Sequence, residues 1–225
     1  MEERKTVKFK KEEFTIRERI KTEIGKGKVS KVKIEYTPVG EKIIISTSKP
    51  GLVIGRGGEK IEELTRILKT EFKLENPHIE IDEIMQPDLD SQLIADDIAL
   101  GLERFGPLKF KVLAYRSLQR IMKSGALGTE IRLSGKLPSS RARTWRFAQG
   151  YLKKTGDSAK VVDRAQAIAQ TKPGIVGVKV SILKPDAKLK DRITIDDELL
   201  KKLKENSLNL DEKIKKPRKI KKWQD

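Results

Sequence analysis

The chain has 225 residues, 36% hydrophobic and 37% charged, and fifty Lys and Arg against thirty-three Asp and Glu leave a net charge of +17. That length holds one large domain or two ordinary ones, with a lean core and a heavily charged surface. The absence of Cys and the single His, His78, exclude disulfides, thiolate metal sites, a His-built metal site and an ordinary Ser-His-Asp triad.

The positive excess makes nucleic acid the default partner, because phosphate neutralisation supplies most non-specific affinity. No apolar run approaches the roughly 18–20 residues of a membrane span. The opening Met-Glu-Glu-Arg-Lys lacks the apolar stretch of a signal peptide. A cytoplasmic, non-secreted protein without metal, cofactor or membrane partner is the expectation.

In chain order, Lys10 to Ile24 reads as a charged amphipathic helix with Phe14, Ile16, Ile20 and Ile24 as its apolar stripe, ended by Gly25 and Gly27. Alternation over Val29–Tyr36 and Lys42–Ser48, around a Pro38-Val39-Gly40 turn, predicts a hairpin-like strand pair. A glycine loop follows, then a helix over Glu59–Phe72 with Ile61, Leu64, Leu68 and Phe72 inward, and a strand over His78–Ile84. Gln86-Pro87-Asp88 marks a domain boundary.

Beyond it, Leu89–Arg104 and Leu108–Ser124 predict two helices separated by Gly106-Pro107. Thr129–Leu137 and Arg143–Leu152 predict strands, Ala159–Gln170 a short helix ended by Pro173-Gly174, and Val176–Ile182 a last strand. The expected organisation is residues 1–87, 88–186 and a polar, Lys-rich tail at 187–225. In that tail Asp211–Asp225 holds seven basic and three acidic residues, a composition that orders only when bound.

The sharpest local motif is Val53-Ile54-Gly55-Arg56-Gly57-Gly58-Glu59-Lys60-Ile61. Two glycines three apart let backbone N–H groups approach a phosphate, and the helix start behind them adds partial positive charge. Arg56 and Lys60 can supply direct phosphate contacts. With a strand pair before it and an amphipathic helix and strand after it, the loop resembles the Gly-x-x-Gly clamp of a type II KH domain. It is neither a P-loop nor a Rossmann fingerprint.

From Arg104 to Gly156 thirteen Lys and Arg face one acid, Glu130. Lys109, Arg116, Arg120 and Lys123 fall on one stripe about 60° wide at about 100° per residue. Phe110, Ala114, Leu118 and Ile121 take the opposite side. Solvated faces usually mix signs, so a stripe of one sign points to polyanion binding. Arg141, Arg143 and Arg146 form a second cluster around Trp145, and Lys136, Lys153 and Lys154 complete the candidate RNA contacts. Trp145, Phe147 and Tyr151 read first as core aromatics.

Three motifs in order carry a larger resemblance: Pro50-Gly51-Leu52-Val53-Ile54-Gly55-Arg56-Gly57-Gly58, then Ser124-Gly125-Ala126-Leu127-Gly128 running into Leu133-Ser134-Gly135-Lys136-Leu137, then Gly174-Ile175-Val176-Gly177-Val178-Lys179-Val180. Over about Phe14 to Asp186 the chain resembles the family of ribosomal protein three of the small subunit, in its archaeal and eukaryotic form. The resemblance implies an α+β fold: a type II KH domain, then a second α/β domain with helices packed on a small mixed sheet, then a basic tail. It also implies ribosomal RNA, mRNA at the entrance channel and neighbouring head proteins as partners. The family is linked to opening structured mRNA through basic residues that correspond to Lys111, Val112, Tyr115 and Arg116. Bacterial members hold a denser basic run where this chain has Val112 and Tyr115, which moves the weight to Arg116 and Arg120.

Two other functions remain open on sequence. One is a free KH-type RNA-processing or assembly factor, which would leave mature subunits in high salt. The other is a lyase on abasic DNA, an activity reported for eukaryotic relatives; it needs an amine of lowered pKa, and no lysine stands out. A non-enzymatic structural protein is the expectation.

Overall fold

The computed structural model describes residues 2–38, 40–72, 74, 76–187 and 189. The tail expected from residue 187 lies, beyond Leu189, outside the described residues. Helix α1 runs over Glu2–Ile24 and starts well before Lys10. Glu13 is buried along it and pairs with Lys10 at 3.3 Å and Arg17 at 3.1 Å, one turn either side.

Glu13 also occupies the place that Phe14 was expected to fill. At about 100° per residue it falls between Ile20 and Ile24 on the helix surface, with Phe14 well round the other side. Ile16, Ile20 and Ile24 are buried, whereas Phe14 is 62% exposed.

Strands β1 (Val29–Thr37) and β2 (Gly40–Thr47) pair antiparallel, and β3 (His78–Glu83) lies parallel to β2. A parallel neighbour needs a crossover. Here it is α2 (Pro50–Ile54), the glycine turn and α3 (Glu59–Phe72). Helices and sheet close a first core around Ile16, Ile20, Val32, Ile43, Ile45, Val53, Leu64 and Leu68. Helix–strand–strand–helix–helix–strand is the type II KH order.

The second core lies under α4 (Ser91–Phe105) and α5 (Phe110–Lys123), which pack on one face of a four-stranded sheet. Its strands are β4 (Gly128–Gly135), β5 (Arg143–Gly150), β6 (Asp163–Thr171) and β7 (Gly174–Leu183), in the order β5-β4-β7-β6. Helix α4 sits over β6 and β7, and α5 over β4 and β5. Ile131, Leu133, Val176, Val178, Val180 and Ile182 are fully buried beneath them.

The helix expected over Ala159–Gln170 is not formed. A short 3-10 turn at Asp157–Val161 leads into strand β6. Alanine has the highest helix propensity, but propensity is a weak prior. Ala165, Ala167 and Ala169 recur at period two and put small methyls under α4. The resemblance implied a mixed sheet in this half. Instead the two residues Lys172 and Pro173 join β6 to β7 as a hairpin, and every pair in this sheet is antiparallel. Among the described residues, parallel pairing is confined to the first sheet.

Polar contacts join the two halves. Asp90 caps α4 by accepting from the N–H groups of Gln92 and Leu93, and also accepts from the Ser30 hydroxyl at 2.6 Å. The Gly27 N–H donates to Asp96 at 3.1 Å, and burial pushes the Asp96 carboxyl up against that pull. Lys26 donates to Glu103 at 3.3 Å and to the Ile168 carbonyl at 3.2 Å; Glu103 accepts from the Gln170 N–H at 2.9 Å. These side chains partner backbone groups on the outer edge of β6, which would otherwise be a template for stray pairing.

Candidate nucleic-acid interface

The glycine loop depends on backbone conformations that side chains resist. Gly55 has φ +77°, and a Cβ there would stand 2.9 Å from the Lys60 Cγ. Gly57, at φ +60°, and Gly58, at φ +89°, open on empty space, so a ligand backbone can approach them closely. Arg56 is exposed, with no ion pair to a described residue. The Lys60 ammonium turns back to the Leu52 carbonyl at 3.5 Å. Glu59 and Glu62 occupy the first turn of α3 and offset the partial positive charge of that helix start. The loop therefore offers open backbone and Arg56 more than a concentrated field.

Helix α5 sorts its residues as the spacing requires. Phe110, Ala114, Leu118 and Ile121 are buried, whereas Lys109, Lys111, Arg116, Arg120 and Lys123 are exposed. Arg120 is committed elsewhere: its guanidinium bridges Asp88, at 3.2 Å, and Asp97. Arg116 and Lys123 have no ion pair among the described residues. Lys109 lies 5.4 Å from the Phe105 ring centre and Lys111 lies 4.9 Å from that of Trp145, cation–π distances that hold an ammonium at the surface.

Trp145 and Phe147 are packing residues. Their rings lie 5.3 and 6.3 Å from Phe110, and Phe147 is 5.1 Å from Tyr115. Tyr151 remains exposed. Arg143 shares the parity of Trp145, so it points to the α5 side at the exposed end of β5. Lys136 and Arg141 belong to the exposed loop between β4 and β5.

The opposite face of this sheet holds the rest. Glu130 is only 3% exposed there, ringed by Arg132, Arg146 at 3.0 Å and Lys154 at 2.6 Å. Burial acts to raise its pKa, but hydrogen bonds from Lys154, Arg132 and Arg146 outweigh it and hold the carboxyl at about 2, against an ordinary 4.5. Arg146 and Lys154 are thus tied to an internal carboxylate, and Lys153 is half-buried.

Strand register adds three cations missing from the sequence-derived set. Arg132 lies opposite Arg146 on β5 and Lys179 on β7, and Arg164 lies on β6 opposite Ser181. Alternation in Ile131-Arg132-Leu133 and Val178-Lys179-Val180 signals an outward cation at both places. Arg164 was hidden by the helical reading of its segment.

The depressed carboxyl makes a pH prediction. A carboxylate with a lowered folded pKa stabilises above its unfolded value and loses that contribution as pH falls through the folded one. Wild type should exceed Glu130→Gln by about 2 kcal/mol at neutral pH, less than a fully buried pair because the partners are half-exposed. The gap should close between about pH 4.5 and 2. Urea titrations of both proteins from pH 6 to 2 check this; parallel curves would contradict the network.

Residues 15–89 match the KH domain family, and residues 98–182 match the family described as ribosomal protein S3, C-terminal domain. The small ribosomal subunit protein uS3 of Methanocaldococcus jannaschii is 44% identical over 199 residues, which cover 88% of this chain and 95% of that protein. The uS3 protein of Methanococcus maripaludis strain C7 is 40% identical over 196 residues, covering 87% and 92%. That of Haloquadratum walsbyi is 39% identical over 178 residues, covering 79% of this chain and 54% of that protein. With a KH fold, an S3-type second half and identity sustained over nearly the whole length of the Methanocaldococcus and Methanococcus proteins, the chain belongs to the uS3 family of small ribosomal subunit proteins.

Proposed function

We propose that this protein is a structural constituent of the small ribosomal subunit, not an enzyme, that holds ribosomal RNA in the head and lines the mRNA entrance with helix α5. On this reading residues 1–87 contribute backbone clamping at the glycine loop. Residues 88–186 contribute phosphate neutralisation, and the two together raise avidity beyond either alone. The observation that carries it is the outer surface of α5 and its N-cap, where Lys109, Arg116 and Lys123 are exposed opposite the side locked into the core, with Lys111 exposed at the edge of that side over Trp145. Arg116 bears more of the proposed contact than Arg120, whose charge Asp88 and Asp97 compensate.

The test is made in assembled subunits. Tagged protein should co-migrate stoichiometrically with small subunits in a gradient at about 0.5 M salt, which screens loose contacts to a few ångströms. A photo-reactive residue in place of exposed Val112 should then cross-link to the mRNA on the downstream side. Release to the top of the gradient would indicate a transient RNA-binding factor. Retention with cross-links to ribosomal RNA or protein alone would remove α5 from the mRNA path.

A further inference from the structure

We infer that the helix-free face of the second sheet is a separate phosphate-binding surface, so that this half of the protein grips RNA on two opposite sides. Arg146, Arg132 and Lys179 lie side by side in register on β5, β4 and β7. Neighbouring strands are about 4.8 Å apart, so the three charges form a row about 10 Å long. Arg164 on β6 and Lys154 on the β5–β6 connection extend it into a cleft with Glu130 at its base. Five cations around one carboxylate leave +4.

Like charges directly opposite one another weaken a sheet. Buried Glu130 offsets part of that repulsion for Arg132, Arg146 and Lys154. Arg164 and Lys179 have no ion pair among the described residues, so the face is left with uncompensated positive charge.

The occupant is RNA backbone rather than protein. Protein interfaces centre on buried aromatic or large apolar anchors. Between the cations this face carries Thr144, Ala148, Ser134, Gly177, Ser181 and Gln166; the exposed large apolar side chains of its strands, Ile168 and Ile175, stand at one corner, and Leu152 lines the cleft only partly exposed. Three of the five cations are arginines, whose planar fork matches phosphate geometry. Small polar residues between forked cations suit a polyanion that lies across the strands.

This inference rests on the family's RNA binding, not on the proposed path of mRNA along α5, and its test separates the two. Full-length protein carrying Arg164→Gln and Lys179→Gln is titrated with a fluorescent single-stranded oligoribonucleotide between 0.05 and 0.3 M salt. At about 0.7 per phosphate contact, the log–log slope should flatten by about 1.4, and affinity at 0.1 M should fall roughly 25-fold. Gln166→Lys, which places a charge beside Lys179 in register, should steepen the slope instead.

In assembled subunits a photo-reactive residue at exposed Ala148 should cross-link to RNA. An unchanged slope in both variants, or cross-links from Ala148 to protein alone, overturns the inference. Neither result touches the reading of α5, which the probe at Val112 tests independently.

Discussion

Replacing Lys109, Lys111, Arg116 and Lys123 together by glutamine should lower affinity for single-stranded RNA at 0.1 M salt by several hundred-fold. Each phosphate contact to a single strand contributes about 0.7 to the log–log salt slope, so four lost contacts flatten it by about 2.8. Carried from 1 M to 0.1 M, that is roughly the same number of log units in affinity. The effect is large because α5 presents these charges with no carboxylate of its own. Arg120, the one stripe member with acidic partners among the described residues, serves as the internal comparison: Arg120→Gln alone should change the slope by much less than Arg116→Gln.

Lys111 requires one control. Its ammonium lies over Trp145, and losing that contact costs about 0.5–1 kcal/mol at an exposed site. Thermal melts of the four-residue variant should therefore fall by only a few degrees. Fluorescence anisotropy at three salt concentrations then reads the electrostatic loss by itself. A fall of less than tenfold, with folding intact, would mean that the RNA does not lie along this helix.

Much of the fold is legible because the hydrophobic period is strong where burial is one-sided. Glu59–Phe72 is a helix over the residues that its three- and four-residue spacing marks, and Val176–Ile182 alternates within β7. Legibility fails where side chains are small or charged residues go inside. Ala165, Ala167 and Ala169 fit either period, so only the presence of α4 above them decides for a strand. Glu13 enters the first core with two cations of its own helix, and nothing in the spacing of Phe14 announces that.

For the candidate interface, sequence counts charges but does not allocate them. Thirteen Lys and Arg between Arg104 and Gly156 read as one basic region, yet the fold divides them between the two sides of a sheet. Three ring Glu130 and one bridges Asp88 and Asp97. The row of Arg146, Arg132 and Lys179 is built by strand register, which brings Lys179 beside Arg132 from more than forty residues further along the chain. Composition gives no access to that register.

A single methyl at Gly128 should be the most damaging small change in the second half. Gly128 opens β4, paired with Gly150 on one side and Leu183 on the other. A Cβ there would stand 2.0 Å from the Tyr151 carbonyl oxygen and 2.4 Å from its carbon, both backbone atoms. No rotamer relieves such a contact, so the chain itself must move. The Tyr151 N–H donates to the Leu127 carbonyl at 2.9 Å, and the Leu127 N–H donates to the Leu183 carbonyl at 3.0 Å, so displacement opens both ends of one corner. Leu152 and Lys154 follow directly, and the Lys154 contact with Glu130 is disturbed with them. Gly128→Ala should therefore cost more than about 4 kcal/mol, the range reserved for backbone clash and loss of a buried network. For a chain of this size that is a melting-temperature drop of roughly 10 °C or more. Gly125→Ala is the matched control: its φ of +90° strains a side chain, but the added Cβ would meet open space, so it should cost only about 1–2 kcal/mol. If both variants melt alike, the close crossing of Tyr151 over Gly128 does not hold that corner, and the cleft around Glu130 loses the backbone support from which its geometry follows.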